Sequence, residues 1–122
     1  MSRRDELALR DYLEHIHQAI DRINRYVQDT DHAGFLANDE KQDPVIRNLE
    51  VIGEAAGKIQ RHFPDFAAKH PDFPLKAAYG TRNALTHGYF KVDLDVVWKT
   101  IERDLPALQV QVFNILESPH QK

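Results

Sequence analysis

The strongest constraint on how this chain can fold is the spacing of its apolar residues, which alternates between three and four along three separate stretches. Leu9, Leu13, Ile16, Ile20, Ile23 and Val27 follow one another at steps of 4, 3, 4, 3 and 4. On a helix turning about 100° per residue this draws one stripe down one face, whereas a strand would need alternation at every second residue. Val45, Leu49, Ile52, Ala56, Ile59 and Phe63 repeat the pattern, and so do Val97, Ile101, Leu105, Leu108, Val112 and Ile115. No alternating run longer than a few residues, no internal repeat and no low-complexity tract competes with it. The expected fold class is all-α, an antiparallel up-and-down four-helix bundle.

Local signals mark the ends of these helices. Ser2 stands where a cap for the first helix belongs. Asp29 to Asp43 is polar, with Phe35 and Leu36 its only large apolar residues, and reads as a loop holding at most a short helical turn. Pro44 is expected in the first turn of the second helix, which should stop before Pro64. Within that helix Gly53 and Gly57, one turn apart beside Ala55 and Ala56, offer a surface that another helix can approach closely. Pro64, Pro71 and Pro74 mark residues 62–74 as a connector, followed by a third helix over Leu75 to His87 with Gly88 as its stop. Asp93 is the expected cap of the last helix, which Pro106 should kink or split.

At 122 residues the chain predicts a single domain over residues 1–122, whose core needs no metal or disulfide support. The absence of Cys excludes disulfide scaffolds, thiolate zinc sites and cysteine nucleophiles. The charged start, MSRRDELALRDYLEH, has no signal-peptide character, and no stretch approaches about 18 uncharged apolar residues, so a soluble, cytoplasmic protein without membrane contact is expected. Sixteen Lys and Arg against 19 Asp and Glu give a net charge of −3, so any nucleic-acid binding must be local.

Several conspicuous residues carry plain readings. His15 and His17 are about 200° apart on a helix and cannot grip one ion together. His32, His62, His70 and His120 read as solvated surface side chains. Arg3, Arg4, Arg10, Arg22 and Arg25, interleaved with Asp5, Glu6, Asp11, Glu14 and Asp21, read as a solvated, salt-bridged face. Trp98 and Phe113 read as core or dimer-interface packing. The sequence has no glycine-rich phosphate loop, nucleophile elbow or HExxH, and neither a metal nor a cofactor is expected.

The chemistry is concentrated in residues 79–90, where charge falls on positions that the helical pattern reserves for apolar side chains. Arg82 lies about 20° from Leu75 around the helix, inside the inward face. A buried guanidinium needs a carboxylate, a backbone carbonyl or an anionic ligand, and Glu54 or Glu50 on the second helix can supply an ion pair. His87 stands in the last turn before Gly88, where the helix dipole favours imidazolium and where simple helix capping is the plain alternative. An Arg and a His facing one pocket also suit metal-free cleavage of RNA. The His moves protons to or from the 2′-hydroxyl or the leaving 5′-oxygen, and the planar guanidinium neutralises charge on the phosphoryl oxygens. The products would be a 2′,3′-cyclic phosphate and a 5′-hydroxyl.

Arg82, Asn83 and His87 resemble the R-x4-6-H motif of the HEPN superfamily of small helical ribonucleases and nucleotide-binding domains. Tyr89 extends the resemblance to R-x4-H-x-Y, similar to its HepT-like toxin branch. Asn48-Leu49-Glu50-Val51-Ile52-Gly53-Glu54-Ala55, Val97-Trp98-Lys99-Thr100 and Asp104-Leu105-Pro106 are similar to that branch too, so the likeness covers roughly residues 5 to 116. It implies a HEPN-like homodimer whose two motif segments meet in a cleft, with Arg82 and His87 catalytic and Asn83 orienting them or the phosphate. Arg82, Arg47, Lys58 and Arg61 would give the cleft a positive floor. The implied partner is a minimal nucleotidyltransferase antitoxin that transfers AMP to Tyr89, placing bulk and negative charge beside the catalytic pair. Two other readings stand beside it: a non-catalytic nucleotide- or partner-binding module with Arg82 as anion anchor, and a structural dimer in which Arg82 forms an internal salt bridge.

Overall fold

In the computed structural model, which describes residues 2–73 and 93–117, the first apolar stripe lies on helix α1 (Arg3–Val27). Ser2 caps it as expected. Its Oγ accepts a hydrogen bond from the Asp5 amide at 3.1 Å, satisfying one of the amides that a helix start leaves without an internal partner. Leu13, Ile16, Ile20 and Ile23 are buried, while Leu9 and Val27 pack at the margin of the core.

The stretch expected as a loop is more ordered than its composition suggests. Asp31 accepts from the Gly34 amide at 2.8 Å and starts the short helix α2 (His32–Leu36), whose Phe35 is fully buried. Asn38 then caps α3 (Asp39–His62), with Asp39 and Glu40 in its first turn facing the positive end of the dipole. Pro44 therefore sits inside α3 and not in its first turn, a correction that follows from Asn38 being the stronger start signal. The ring removes one amide and leaves the helix continuous.

Gln42 and Asn48 occupy the core-facing side of α3 and are nearly buried, at 8% and 6% exposure. Gln42 Nε2 donates to the carbonyl oxygens of Phe35 and Leu36 at 2.9 and 3.1 Å, satisfying the end of α2. Asn48 Nδ2 donates to the Pro44 carbonyl at 2.8 Å, and its Oδ1 accepts from Arg22 Nε at 2.8 Å. Arg22 is thus half-buried and committed to α3, in contrast to the solvated face expected for it.

The proline-rich connector also folds. Pro64 takes the first position of helix α4 (Pro64–Lys69), as its fixed φ and missing amide allow. Beyond Asp93, whose carboxylate accepts from the Asp95 and Val96 amides, come helix α5 (Leu94–Lys99), a π-helical turn (Thr100–Asp104) and helix α6 (Leu105–Glu117). The run is divided near Pro106, as expected, by the π-helical turn just before the proline. The Leu105 amide reaches back five residues to the Thr100 carbonyl, and this wider turn stands where the proline ring would otherwise crowd the Glu102 carbonyl. It also corrects the stripe, because two successive steps of four drift by about 80° on an α-helix. Val97, Ile101, Leu105, Leu108 and Val112 all stay buried.

Pairings fix the topology. Tyr12 meets Phe63, Arg22 meets Asn48 and Lys41 Nζ meets the Tyr26 carbonyl, so α1 and α3 run antiparallel. Arg10 reaches the Leu116 carbonyl, and Asp21 and Asn24 both meet Gln109, so α6 is antiparallel to α1 as well. Among the described residues the fold is all-α, with α1 packed between α3 and α6.

Candidate functional site

Arg82, Asn83, His87 and Tyr89, with the third helix expected over Leu75 to His87, lie outside the described residues. The structure places the frame on either side of them. Phe73, the last residue described before the motif, is buried and meets Phe66 edge-on at 5.6 Å, while its amide donates to the His70 carbonyl at 3.0 Å. His70 packs its ring against Phe66 at 4.4 Å and so is a packing residue, not the solvated one expected. On the far side, Asp93 caps α5.

The α3 face that supplied the expected partner for Arg82 is described. Glu54 is 56% exposed, and its Oε1 lies 3.7 Å from Lys58 Nζ, one turn on along the same helix. Lys58 also sits over the Tyr12 ring at 5.8 Å, a cation–π contact that ties the α3 end of this face to α1. Glu50 is half-buried and Arg47 and Arg61 are exposed. Of the basic positions expected to form one floor, Arg82 lies outside the described residues, and Arg47 stands apart from Lys58 and Arg61 along α3. Arg47 lies eleven residues before Lys58, about 16 Å along the helix axis.

Elsewhere the structure separates residues with contacts from residues without. His32 is not simply solvated: its Nε2 lies 2.8 Å from Asp95 Oδ1, and its ring stacks on Trp98 at 5.8 Å and 3°. Trp98 also touches Phe35 and is buried, the core role expected of it. Phe113 is 51% exposed and is not core in one chain. His15 is exposed, whereas His17 faces Asp21 and Phe113. Among the described residues no group of three or more His, Asp or Glu is arranged to hold a metal ion, and no helix is long and apolar enough to cross a membrane.

The residue that sequence reasoning missed is Asn48, with Arg22 as its partner. Its signal was available: Asn48 falls three residues after Val45 and four before Ile52, inside the apolar stripe. A polar residue there must find a hydrogen-bond partner. Which partner it finds depends on the register of α1 against α3, which the spacing within either helix does not contain.

The chain matches the family model described as ribonuclease HepT-like over residues 16–115. It is 40% identical over 100 residues to a protein of Thermococcus cleftensis named as a probable ribonuclease HepT, covering 82% of this chain and 88% of that one. A candidate RNase of Methanocaldococcus jannaschii is 34% identical over 122 residues, the full length of both chains. Another, of Caldanaerobacter subterraneus, is 36% identical over 113 residues, 88% of this chain and 94% of the relative. No solved structure matches. With five-sixths of its length inside one family model and relatives aligned end to end, the chain belongs to the HepT-like ribonuclease family.

Proposed function

We propose that this chain is a metal-independent endoribonuclease acting as a cytoplasmic homodimer, in which Arg82 and His87 carry the chemistry. The observation that carries the reading is the coincidence of HepT-like family membership with Arg82, Asn83, His87 and Tyr89 in R-x4-H-x-Y order. His87 takes the proton from the ribose 2′-oxygen as that oxygen bonds to phosphorus. The bond from phosphorus to the 5′-oxygen breaks, and the leaving oxygen receives a proton, giving a 2′,3′-cyclic phosphate and a 5′-hydroxyl. Arg82 stabilises the charge on the non-bridging oxygens, and Asn83 holds the phosphate or the pair in place. In this reading the enzyme is a toxin, silenced when a minimal nucleotidyltransferase antitoxin transfers AMP from ATP to the Tyr89 hydroxyl with release of pyrophosphate. The added phosphate repels the RNA backbone from Arg82 and His87.

The test is cleavage of a defined RNA in excess EDTA by chains whose intact mass shows no adduct. Wild type should cleave and leave cyclic phosphate ends. Arg82→Ala and His87→Ala should each lower the rate by at least about 10²-fold with the thermal midpoint unchanged. Failure of the unadducted wild type to cleave would refute the enzyme reading in favour of a nucleotide- or partner-binding module.

A further inference from the structure

Between α1 and α3 lies an open cavity of about 450 Å³, within the roughly 300–1,000 Å³ range of small-ligand sites. Two arginines, Arg22 and Arg47, are among the residues that line it, together with Tyr26. Arg22 is held in place there. Its Nε donates to Asn48 Oδ1 at 2.8 Å, and Asn48, 6% exposed, is itself fixed by donating to the Pro44 carbonyl at 2.8 Å. The Nη donors of Arg22 thus remain for a ligand, because no acid among the described residues lies within ion-pair distance of Arg22 or Arg47. One carboxylate, Asp43, also lines the cavity, and a further cation, Lys41, is anchored on the Tyr26 carbonyl at 2.7 Å.

A preorganised guanidinium, a second one on the facing helix and an exposed aromatic ring make up the recognition chemistry of a nucleotide. The forked donors take a phosphate and the ring takes a base. Asp43 disfavours a second phosphate in the same space and offers an acceptor to a ribose hydroxyl. We propose that this cavity is a nucleotide subsite that holds one unit of the RNA substrate at a distance from the cleaved bond. The proposal rests on the ribonuclease reading. It departs from the single basic floor, because Arg47 stands about 16 Å along α3 from Lys58 and works with Arg22 instead.

The experiment measures binding of a labelled single-stranded RNA by fluorescence anisotropy in the His87→Ala background, which leaves the RNA intact, together with KM and kcat in the active chain. Arg47→Ala and Arg22→Gln should each weaken binding by about threefold to tenfold and lower the slope of log affinity against log salt by about 0.7, the share of one phosphate on a single strand. Tyr26→Leu should weaken binding without changing the slope. In the active chain KM should rise and kcat at saturation should hold. Arg25→Ala, an exposed α1 arginine outside the cavity, should leave both binding and slope near those of the parent. If Arg22→Gln does not fold, Arg47→Ala decides, since its side chain is exposed. Unchanged RNA binding in the cavity variants, with a parent that binds and cleaves, would overturn the subsite alone. Variants that lose binding of AMP yet hold RNA like the parent would assign the cavity to a free nucleotide and overturn it too. A parent that neither binds nor cleaves RNA would remove the ribonuclease reading and this subsite together.

Discussion

Phe35→Ala is the substitution whose outcome the fold constrains most tightly. Phe35 is the one buried residue of the five-residue helix α2, is fully inaccessible, and meets Trp98 at 5.4 Å. Truncating a core Phe to Ala costs about 3–5 kcal/mol, from lost transfer energy and the cavity left behind. The lower end applies here, because α2 is short enough to detach and let water into the space, which caps the cavity term. About 3 kcal/mol is a large share of the roughly 5–15 kcal/mol that holds a typical domain together. An unfolding entropy of about 2.1 cal/mol/K per residue over 122 residues converts it into a fall of about 12 °C in the thermal midpoint. The assay is thermal and urea unfolding by circular dichroism at one fixed protein concentration, since self-association would otherwise shift the midpoint. Trp98, the single tryptophan, gives an independent reading: its emission should move to the red as its Phe35 contact is replaced by water. Phe35→Leu, which keeps most of the volume, should cost less than about 1.5 kcal/mol. A fall below about 4 °C for Phe35→Ala, with Trp98 emission unmoved, would refute the claim that Phe35 docks α2.

Two further substitutions test the polar and backbone features of α3. Gln42→Leu removes the donor to the carbonyls of Phe35 and Leu36 and should destabilise by about 1–3 kcal/mol in urea titration; a neutral result would mean that water satisfies those carbonyls instead. Pro44→Ala restores an amide inside a continuous helix and should raise the thermal midpoint by about 4 °C, or about 1 kcal/mol; a lowered midpoint would show that the proline ring contributes packing worth more than the hydrogen bond it forfeits.

The elements that sequence made legible are those governed by spacing along one helix. All three apolar stripes fall on the core, and Ser2 and Asp93 cap the helices they were expected to start. What was not legible depended on contacts between helices or on competition between local signals. Composition made residues 29–43 a loop with at most a short helical turn; α2, with Phe35 against Trp98, is that turn, whereas the start of α3 within the stretch was not foreseen. Asn38 outcompeted Pro44 for the start of α3 because a cap supplies a hydrogen bond whereas an early proline only forfeits one. Pro106 pointed to a kink or a split, and the form the division takes, a widened turn just before the proline that keeps Ile101 and Leu105 both buried, was not visible in the spacing. The site shows the same division. The motif from Arg82 to Tyr89 is visible as a string, while the pairing of Arg22 with Asn48 needed the α1–α3 register.

The net charge of −3 is less of an obstacle to an RNA-cleaving reading than it first looks, because of where the charges lie. At physiological salt a charge is screened beyond about 8 Å, so an RNA strand responds to local groups and not to the total. Along α3 the acids Asp39 and Glu40 occupy the first turn and Arg61 and His62 the last, the arrangement that best suits the helix dipole. That order stabilises the helix whatever the chain does, while Lys41, Asp43, Glu50, Glu54 and Lys58 mix the signs between its ends. Arg47 on α3, and Arg22 facing it from α1, are cationic side chains near the acidic end of α3 that no ion pair among the described residues accounts for. The α3 dipole does not favour Arg47 at that place. The buried Asn48 amide oxygen needs a donor, which Arg22 Nε supplies, and in the proposed subsite the same bond orients the remaining Arg22 donors toward an anionic ligand.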